Sequence, residues 1–257
     1  MKFNSLTVKT LFFIALNFLA LDNLFAQSDK TWYKPKVYLE SFKTDRDSCA
    51  TPGQNQSGFN TCMGQRGWTL VDRNIHNADR KFCQDKSIAV EESEKRESYL
   101  SCLIEKGWDE ENDAQYKNRM ITKEFFENCK LEEFKIFISK SPCDQKGITL
   151  QHLADSSMIT EQEKIVMLAY VKSSDEYERK RLEAFRNGGM FEKKMYEYRL
   201  KTYNPKLQEI RINLITGKIS FGEFNKRRTE IVTEASLMSP KFFEEVQAFI
   251  KQPSTTR

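Results

Sequence analysis

Residues 45–68 read DRDSCATPGQNQSGFNTCMGQRGW, and residues 79–108 read DRKFCQDKSIAVEESEKRESYLSCLIEKGW. Both stretches fit the template D-R-x-x-C…[FY]-x-x-C-x4-G-W, with twelve residues between the cysteines of the first and eighteen between those of the second. Agreement at so many fixed offsets is improbable by chance. We therefore interpret the two stretches as copies of one duplicated unit.

The cysteines predict a disulfide framework. All six lie between positions 49 and 143, and in an exported chain an even number of this kind favours structural bridges. Spacing alone does not choose among the alternative pairings. A duplicated unit should close on itself, which favours the pairs Cys49–Cys62 and Cys83–Cys102 and leaves Cys129 with Cys143. Each bridge would staple a short helical hairpin whose second helix ends at the template glycine.

The first copy resembles a module of small exported proteins and lipoproteins of proteobacteria. That module reads Y-x3-F-x2-D-x3-C, followed by C-M-x2-[KR]-G-W. The matching residues here are Tyr38, Phe42, Asp45, Cys49, Cys62, Met63, Arg66, Gly67 and Trp68. The second copy departs from it, with His76 in place of the phenylalanine and Leu103 in place of the methionine. The resemblance implies a location in the bacterial envelope and supplies no mechanism.

The N-terminus has the features of a secretory signal. Two lysines precede an apolar run over residues 11–21, which is shorter than the roughly 20 residues that a membrane-spanning helix needs. Residues 1–26 are therefore predicted to be a signal peptide, with cleavage after Ala26 or Ser28. The alternative is an uncleaved anchor. We expect a periplasmic or secreted protein with no stable transmembrane segment after cleavage.

The charge balance excludes an obvious nucleic-acid footprint. Removal of residues 1–26 takes away two lysines and one aspartate, so 39 basic and 36 acidic residues remain. Nucleic-acid binding needs clustered charge of one sign. The local run Lys226-Arg227-Arg228 lies between Glu223 and Glu230, so we interpret it as a solvated helix face.

The composition and the helix signals predict a mostly α-helical fold. The chain has only 10 glycines and 6 prolines, and an all-β chain would need more of these turn residues. Helix starts are predicted at Thr122, Thr160, Asn204-Pro205, Ser220 and Ser239-Pro240. Residues 172–186 are charged nearly all round and are predicted to form a protruding or solvated helix. We expect a cysteine-containing region over 29–146 made of disulfide-stapled helical hairpins, with two repeat units. A cysteine-free helical bundle, or a set of stacked helical hairpins, should follow over 147–252.

No catalytic, cofactor-binding or metal-binding residue stands out. The cysteines form no C-x-x-C pair, and the histidines are limited to His76 and His152, which disfavours redox and zinc sites. A serine or cysteine nucleophile has no recognisable setting either, and no carboxylate pair can be singled out.

The aromatic residues Trp32, Tyr33, Trp68 and Trp108 are candidates for contacts with a partner. Alternatively, the last two are lids that pack on their own disulfide hairpins. The leading hypothesis is a non-enzymatic binding or structural protein of the bacterial cell envelope, with a protein or envelope component as its partner. The alternative is an exported hydrolase that uses carboxylates. A cleft with two buried carboxylates of raised pKa would favour the hydrolase.

Overall fold

The computed structural model describes residues 29–51, 53–90 and 95–252. The predicted signal peptide, with Ala26 and Ser28, lies outside these residues. The described chain is mostly helical, so the predicted fold class is confirmed. Its strands form one antiparallel ribbon of β1 (Lys30–Tyr33) and β2 (Thr69–Asp72). Across the described ranges, no helix combines the length and the apolar character that crossing a bilayer requires.

The described residues divide into two compact units. The first unit runs to Asp113 and resumes at Glu244, and the second covers Ala114–Phe243. The division therefore falls about thirty residues before the boundary predicted between 146 and 147. The physical reason is the third cysteine pair: Cys129 and its neighbour Phe134 share one hydrophobic core with later helices of the second unit.

The helices of the first unit are short and follow the cysteine template. In chain order they are α1 (Leu39–Cys49), α2 (Gln56–Gln65), α3 (Arg73–Ile88) and α4 (Lys95–Glu105). A side-chain oxygen of Asn55 caps α2, and a carboxylate oxygen of Asp72 caps α3. The disulfides Cys49–Cys62 and Cys83–Cys102 join α1 to α2 and α3 to α4, with Cα atoms 5.7 and 5.5 Å apart.

Residues 45–68 and 79–108, here called the first and second disulfide modules, end their second helices in the same way. Gly67 and Gly107 have φ angles of +83° and +87°, a left-handed conformation that glycine adopts without a steric cost. The backbone N–H of the next residue, Trp68 or Trp108, then bonds back to the carbonyl five residues earlier, at 3.0 and 2.8 Å. This is the Schellman ending of a helix. It turns each tryptophan back over its own hairpin.

An aspartate locks each tryptophan in place. The indole N–H of Trp68 donates to Asp45 Oδ2, and that of Trp108 donates to Asp79 Oδ2, both at 2.9 Å. A basic residue just before the glycine also reaches this aspartate: Arg66 at 2.8 Å in the first module and Lys106 at 3.5 Å in the second. The template positions Asp, Cys, Gly and Trp thus make matching contacts in both modules.

The helices of the second unit vary widely in length: two have four residues and one has 26. They are α5 (Asp113–Asn128, which begins one residue before the unit), α6 (Lys135–Ile138), α7 (Leu150–Leu153), α8 (Glu161–Arg186), α9 (Met190–Tyr198), α10 (Asn204–Ile215) and α11 (Phe221–Lys251, whose residues from Glu244 onward belong to the first unit). The predicted capping box at Thr160 is confirmed, since its hydroxyl accepts from the Glu163 N–H while the Glu163 carboxylate accepts from Thr160. The third disulfide, Cys129–Cys143, has Cα atoms 6.3 Å apart. All three bridges follow the predicted pairing.

Three predicted helix starts in this unit are wrong. Thr122 lies inside α5, where its hydroxyl donates to the Asn118 carbonyl 2.8 Å away, so a threonine at that position needs no helix end. Asn204 continues a helical run from α9 through a π-helical turn at Arg199–Tyr203. Pro240 lies inside α11. The loss of one backbone hydrogen bond there is outweighed by a continuous buried stripe at Phe243, Val246 and Ile250.

Candidate functional site

The four aromatic residues predicted to contact a partner are packed within the first unit. Trp68 is only 3% exposed, and Trp108 is partly buried. Trp32 packs edge-on against Phe59, with ring centroids 6.1 Å apart, and Tyr33 packs edge-on against Trp108 at 5.0 Å. These contacts favour the alternative interpretation of Trp68 and Trp108 as lids. The partner-contact role predicted for Trp68 is inconsistent with its burial.

Both histidines have local structural contacts. His76 is 7% exposed and packs on Trp108 at 4.5 Å, where the first module has Phe42 against Trp68 at 5.2 Å. Its Nε2 lies 2.8 Å from Glu110 Oε1. His152 Nδ1 accepts a hydrogen bond from the backbone N–H of Thr149 at the start of α7. Within the described ranges, no group of three or more His, Cys, Asp or Glu side chains is arranged to hold a metal ion.

A cleft of about 320 Å³ lies within the second unit. Helices α5, α6, α8, α10 and α11 line it, together with the π-helical turn. Its apolar lining consists of Phe125, Phe137, Met167, Tyr170, Val171, Tyr177, Leu182, Tyr203, Leu207, Phe224 and Val232. Five arginines and two carboxylates also line it, which leaves a surplus of three positive charges among the described residues. An apolar cavity with a few converging charged groups is the usual form of a small-molecule site.

Two of the arginines share the carboxylate of Glu178, whose side chain is 17% exposed. Arg199 binds Glu178 through two parallel hydrogen bonds of 2.7 and 2.6 Å. Arg181 donates to the same carboxylate at 3.2 Å and to the side chains of Asn118 and Thr122. This pairing holds Glu178 and both guanidiniums in fixed positions at one side of the cleft.

Two further arginines lie elsewhere in the same cleft, and they are paired unequally. Arg211, 7% exposed, donates to Asp175 Oδ1 at 2.8 Å and to the Ser174 hydroxyl at 2.9 Å. Arg228, 8% exposed, donates one hydrogen bond from Nη2 to the Pro142 carbonyl oxygen. Its buried Nε has no hydrogen-bond partner, and no carboxylate of the described chain pairs with its guanidinium. Arg228 is therefore the least compensated charge in the cleft.

The pKa shifts show how strongly this region is desolvated. Burial lowers the pKa of Arg228, and the nearby charge of Arg211 acts in the same direction. Burial likewise raises the pKa of Tyr170, whose hydroxyl oxygen lies 3.5 Å from Cys143 Sγ. Because Cys143 is in a disulfide, the hydroxyl is the donor in that contact. The third bridge thus forms part of the wall of the cleft.

Glu178, the cleft carboxylate with a shifted pKa, is shifted in the direction opposite to the one that would favour a hydrolase. Burial by itself would raise the pKa of Glu178, but hydrogen bonds from Arg199 and the charges of Arg199 and Arg181 lower it overall. In the described chain, every carboxylate whose pKa departs from its ordinary value is shifted downward. A general acid at neutral pH needs the opposite shift.

The sequence interpretation missed this cleft. Residues 172–186 were predicted to be solvated, yet Glu178 and Arg181 line the cleft. Arg228 was assigned to a solvated face and is buried. One signal does exist in the sequence: the apolar stripe of α8 at Met167 and Val171 continues, at helical spacing, through 174, 178 and 181. Charged residues on an otherwise buried stripe indicate an internal polar cluster.

The geometry of the cleft stands without support from known proteins. No family model, no curated protein and no solved structure matches the chain.

Proposed function

We propose that this chain is an exported, non-enzymatic binding protein of the bacterial cell envelope, and that its second unit binds a ligand in the arginine-lined cleft. The two disulfide modules form a rigid scaffold. The ligand is a small envelope component or a group carried on a larger one. Periplasmic location and secretion are both compatible with this proposal.

Several features support export. Three disulfides are characteristic of an oxidising compartment. The N-terminal apolar run with its preceding lysines is typical of a secretory signal. The resemblance of residues 38–68 to a module of exported proteobacterial proteins points in the same direction.

One observation carries the binding function: the cleft combines apolar walls with four arginines that lie mostly or fully buried, Arg181, Arg199, Arg211 and Arg228. Buried guanidiniums cost free energy unless they are paired. A cleft arranged in this way is suited to recognition. The lowered pKa of Glu178 suits a carboxylate that orients arginines.

Export is tested by fractionation of a proteobacterium expressing the full chain. Osmotic shock should release the protein, or the protein should appear in the medium, and its N-terminus should be Gln27 or Asp29. Recovery only in the membrane pellet with Met1 retained would contradict cleavage and favour the anchor.

The binding role is tested by native mass spectrometry of protein released gently from the periplasm. We expect a small-molecule adduct on the wild type that is lost in Leu207→Trp, because a tryptophan at this lining position fills the cleft. The matched control is Leu200→Trp, at a position that is 48% exposed and is not among the lining residues, which should retain the adduct. An adduct equally abundant in both variants would refute the cleft as the site. So would the lack of any adduct together with no thermal stabilisation by small-molecule envelope extract.

A further inference from the structure

The cleft contains two pairs of arginines that differ in one respect. Arg181 and Arg199 both donate hydrogen bonds to the same carboxylate, that of Glu178. Arg211 and Arg228 lie close enough for the charge of one to lower the pKa of the other. Among the described residues, Asp175 pairs with Arg211 and is 48% exposed, whereas Asp144 acts on Arg228 through its charge without forming an ion pair with it. No carboxylate of the described residues contacts Arg228 in the way that Glu178 contacts Arg181 and Arg199.

An uncompensated guanidinium at this depth is expensive. Burying an unpaired charge carries a large desolvation penalty that relaxation of the protein only partly relieves. Arg228 has five N–H donors, one of which reaches the Pro142 carbonyl oxygen. A carbonyl oxygen accepts a hydrogen bond but carries no net charge. The remaining donors, with the charge of Arg211 nearby, favour an anion supplied from outside the chain.

From this comparison we propose that the cleft binds a small amphipathic oxoanion, a phosphate monoester or a carboxylate, with its anionic head on Arg228 and Arg211. The inference rests on the proposed role of the cleft as a ligand site. The head bridges Arg228 and Arg211 in the way that the Glu178 carboxylate bridges Arg181 and Arg199. Planar guanidiniums match the oxygen pairs of carboxylates and phosphates, so a hydrogen-bonded, charge-assisted contact results.

The apolar walls define the rest of the ligand. Next to Arg228 lies Phe224, with the guanidinium carbon 5.9 Å from the ring centroid, and the adjoining wall includes Tyr170 and Leu207. A short alkyl or aromatic tail fits these surfaces. The volume of about 320 Å³ limits the ligand to a small molecule or to one terminal group of a larger molecule.

The test is isothermal titration of the full mature chain with three probes of equal tail length: hexyl phosphate, hexanoate and hexylammonium. At least one of the two anions should bind saturably with one site per chain, and hexylammonium should not bind. A stronger response to hexyl phosphate identifies a phosphate head, and an equal or stronger response to hexanoate identifies a carboxylate. Either result supports the oxoanion.

Two neighbouring arginines provide matched variants. Arg228→Met keeps the aliphatic stem and should lower the affinity for the bound anion by about tenfold or more, the effect of losing a charged hydrogen-bonded contact. Arg227→Met is the control, because Arg227 is 41% exposed, pairs with Glu223 and lies outside the cleft. It should bind like the wild type. Arg228→Lys, which keeps the charge but loses the planar fork, should show an intermediate loss.

A thermal scan without ligand separates binding from folding. Removal of an uncompensated buried charge should leave the melting temperature of Arg228→Met unchanged or raise it. A sharp fall would show that Arg228 is a structural residue and would overturn the inference. Equal losses of anion affinity in the Arg227 and Arg228 variants, or no anion binding at all, would also overturn it. Binding of hexylammonium that Leu207→Trp abolishes would overturn the oxoanion while the cleft remained a ligand site.

Discussion

The two disulfide modules and the third bridge use the same covalent bond in different surroundings. Each module encloses a small core, such as the cluster of Cys49, Phe59, Met63 and Trp68, and adds an aspartate–tryptophan lock. Cys129 instead belongs to a core of eleven buried residues of the described second unit. A bridge therefore carries a larger share of the local stability where little apolar surface is buried.

The largest expected effect comes from removing a bridge. Cys83→Ala with Cys102→Ala should lower the free energy of unfolding of the first unit by about 3 kcal/mol, because an open loop restores chain entropy to the unfolded state. Hydrogen exchange measured by mass spectrometry should show lost protection in residues 79–108. The second unit should keep its protection.

The matched control is Cys129→Ala with Cys143→Ala, which opens a loop of comparable length. The second unit should remain folded because its large core persists. The comparison would be reversed if this control lost structure throughout the second unit while the first variant kept its protection in residues 79–108. Cys83→Ala alone should be worse than the double variant, because the freed Cys102 thiol attacks other bridges.

The aspartate locks should rank next. Asp45→Asn should destabilise the first unit by about 2 kcal/mol and Asp79→Asn by about 1 kcal/mol, since charge-assisted hydrogen bonds are lost. The effect is larger for Asp45 because it contacts Trp68 at 2.9 Å, Arg66 at 2.8 Å and Lys34 at 3.5 Å. Urea unfolding followed by tryptophan fluorescence measures this unit alone, since the tryptophans lie at 32, 68 and 108. Equal or negligible effects would contradict the lock.

Exchanging the residues that pack on the tryptophans sharpens the comparison between the modules. His76→Phe should cost about 1 kcal/mol, because Glu110 loses its hydrogen bond with the imidazole at 2.8 Å. Phe42→His should cost more, about 2 kcal/mol, since it replaces a ring packed on Trp68 by a polar one. The same urea experiment decides. If Phe42→His left the free energy of unfolding unchanged, this position would tolerate either ring.

The smallest effect concerns pH. Burial by itself would raise the pKa of Asp45, but hydrogen bonds from Trp68 and Arg66 lower it overall. A carboxyl with a lowered folded pKa stabilises the fold above the unfolded pKa, roughly 4, and that contribution is lost as the pH falls through the folded pKa. The stability difference between the wild type and Asp45→Asn should therefore shrink between about pH 5 and pH 2. A difference independent of pH would show that the ionised carboxylate is not what stabilises the module.

Local signals predicted the local structure well. The template shared by residues 45–68 and 79–108 predicted two bridges and left Cys129 with Cys143, and the threonine and glutamate at 160 and 163 predicted the start of α8. Predictions at Thr122 and Pro240 were wrong because each residue is compatible with two settings. A threonine hydroxyl can bond back within a helix, and a proline can be tolerated in a helix whose following turns are buried.

The sequence by itself determined the helical class, the bridge pairing and the tryptophan-bearing turns, because these depend on residues close together in the chain. Only the tertiary structure decided where the compact units divide and that a charged cleft exists. Arg199 and Glu178 meet across 21 positions, and Arg228 reaches Pro142 across 86. Whether an arginine is solvated or buried depends on which distant helices pack over it. The periodicity of a single helix does not show which helices those are.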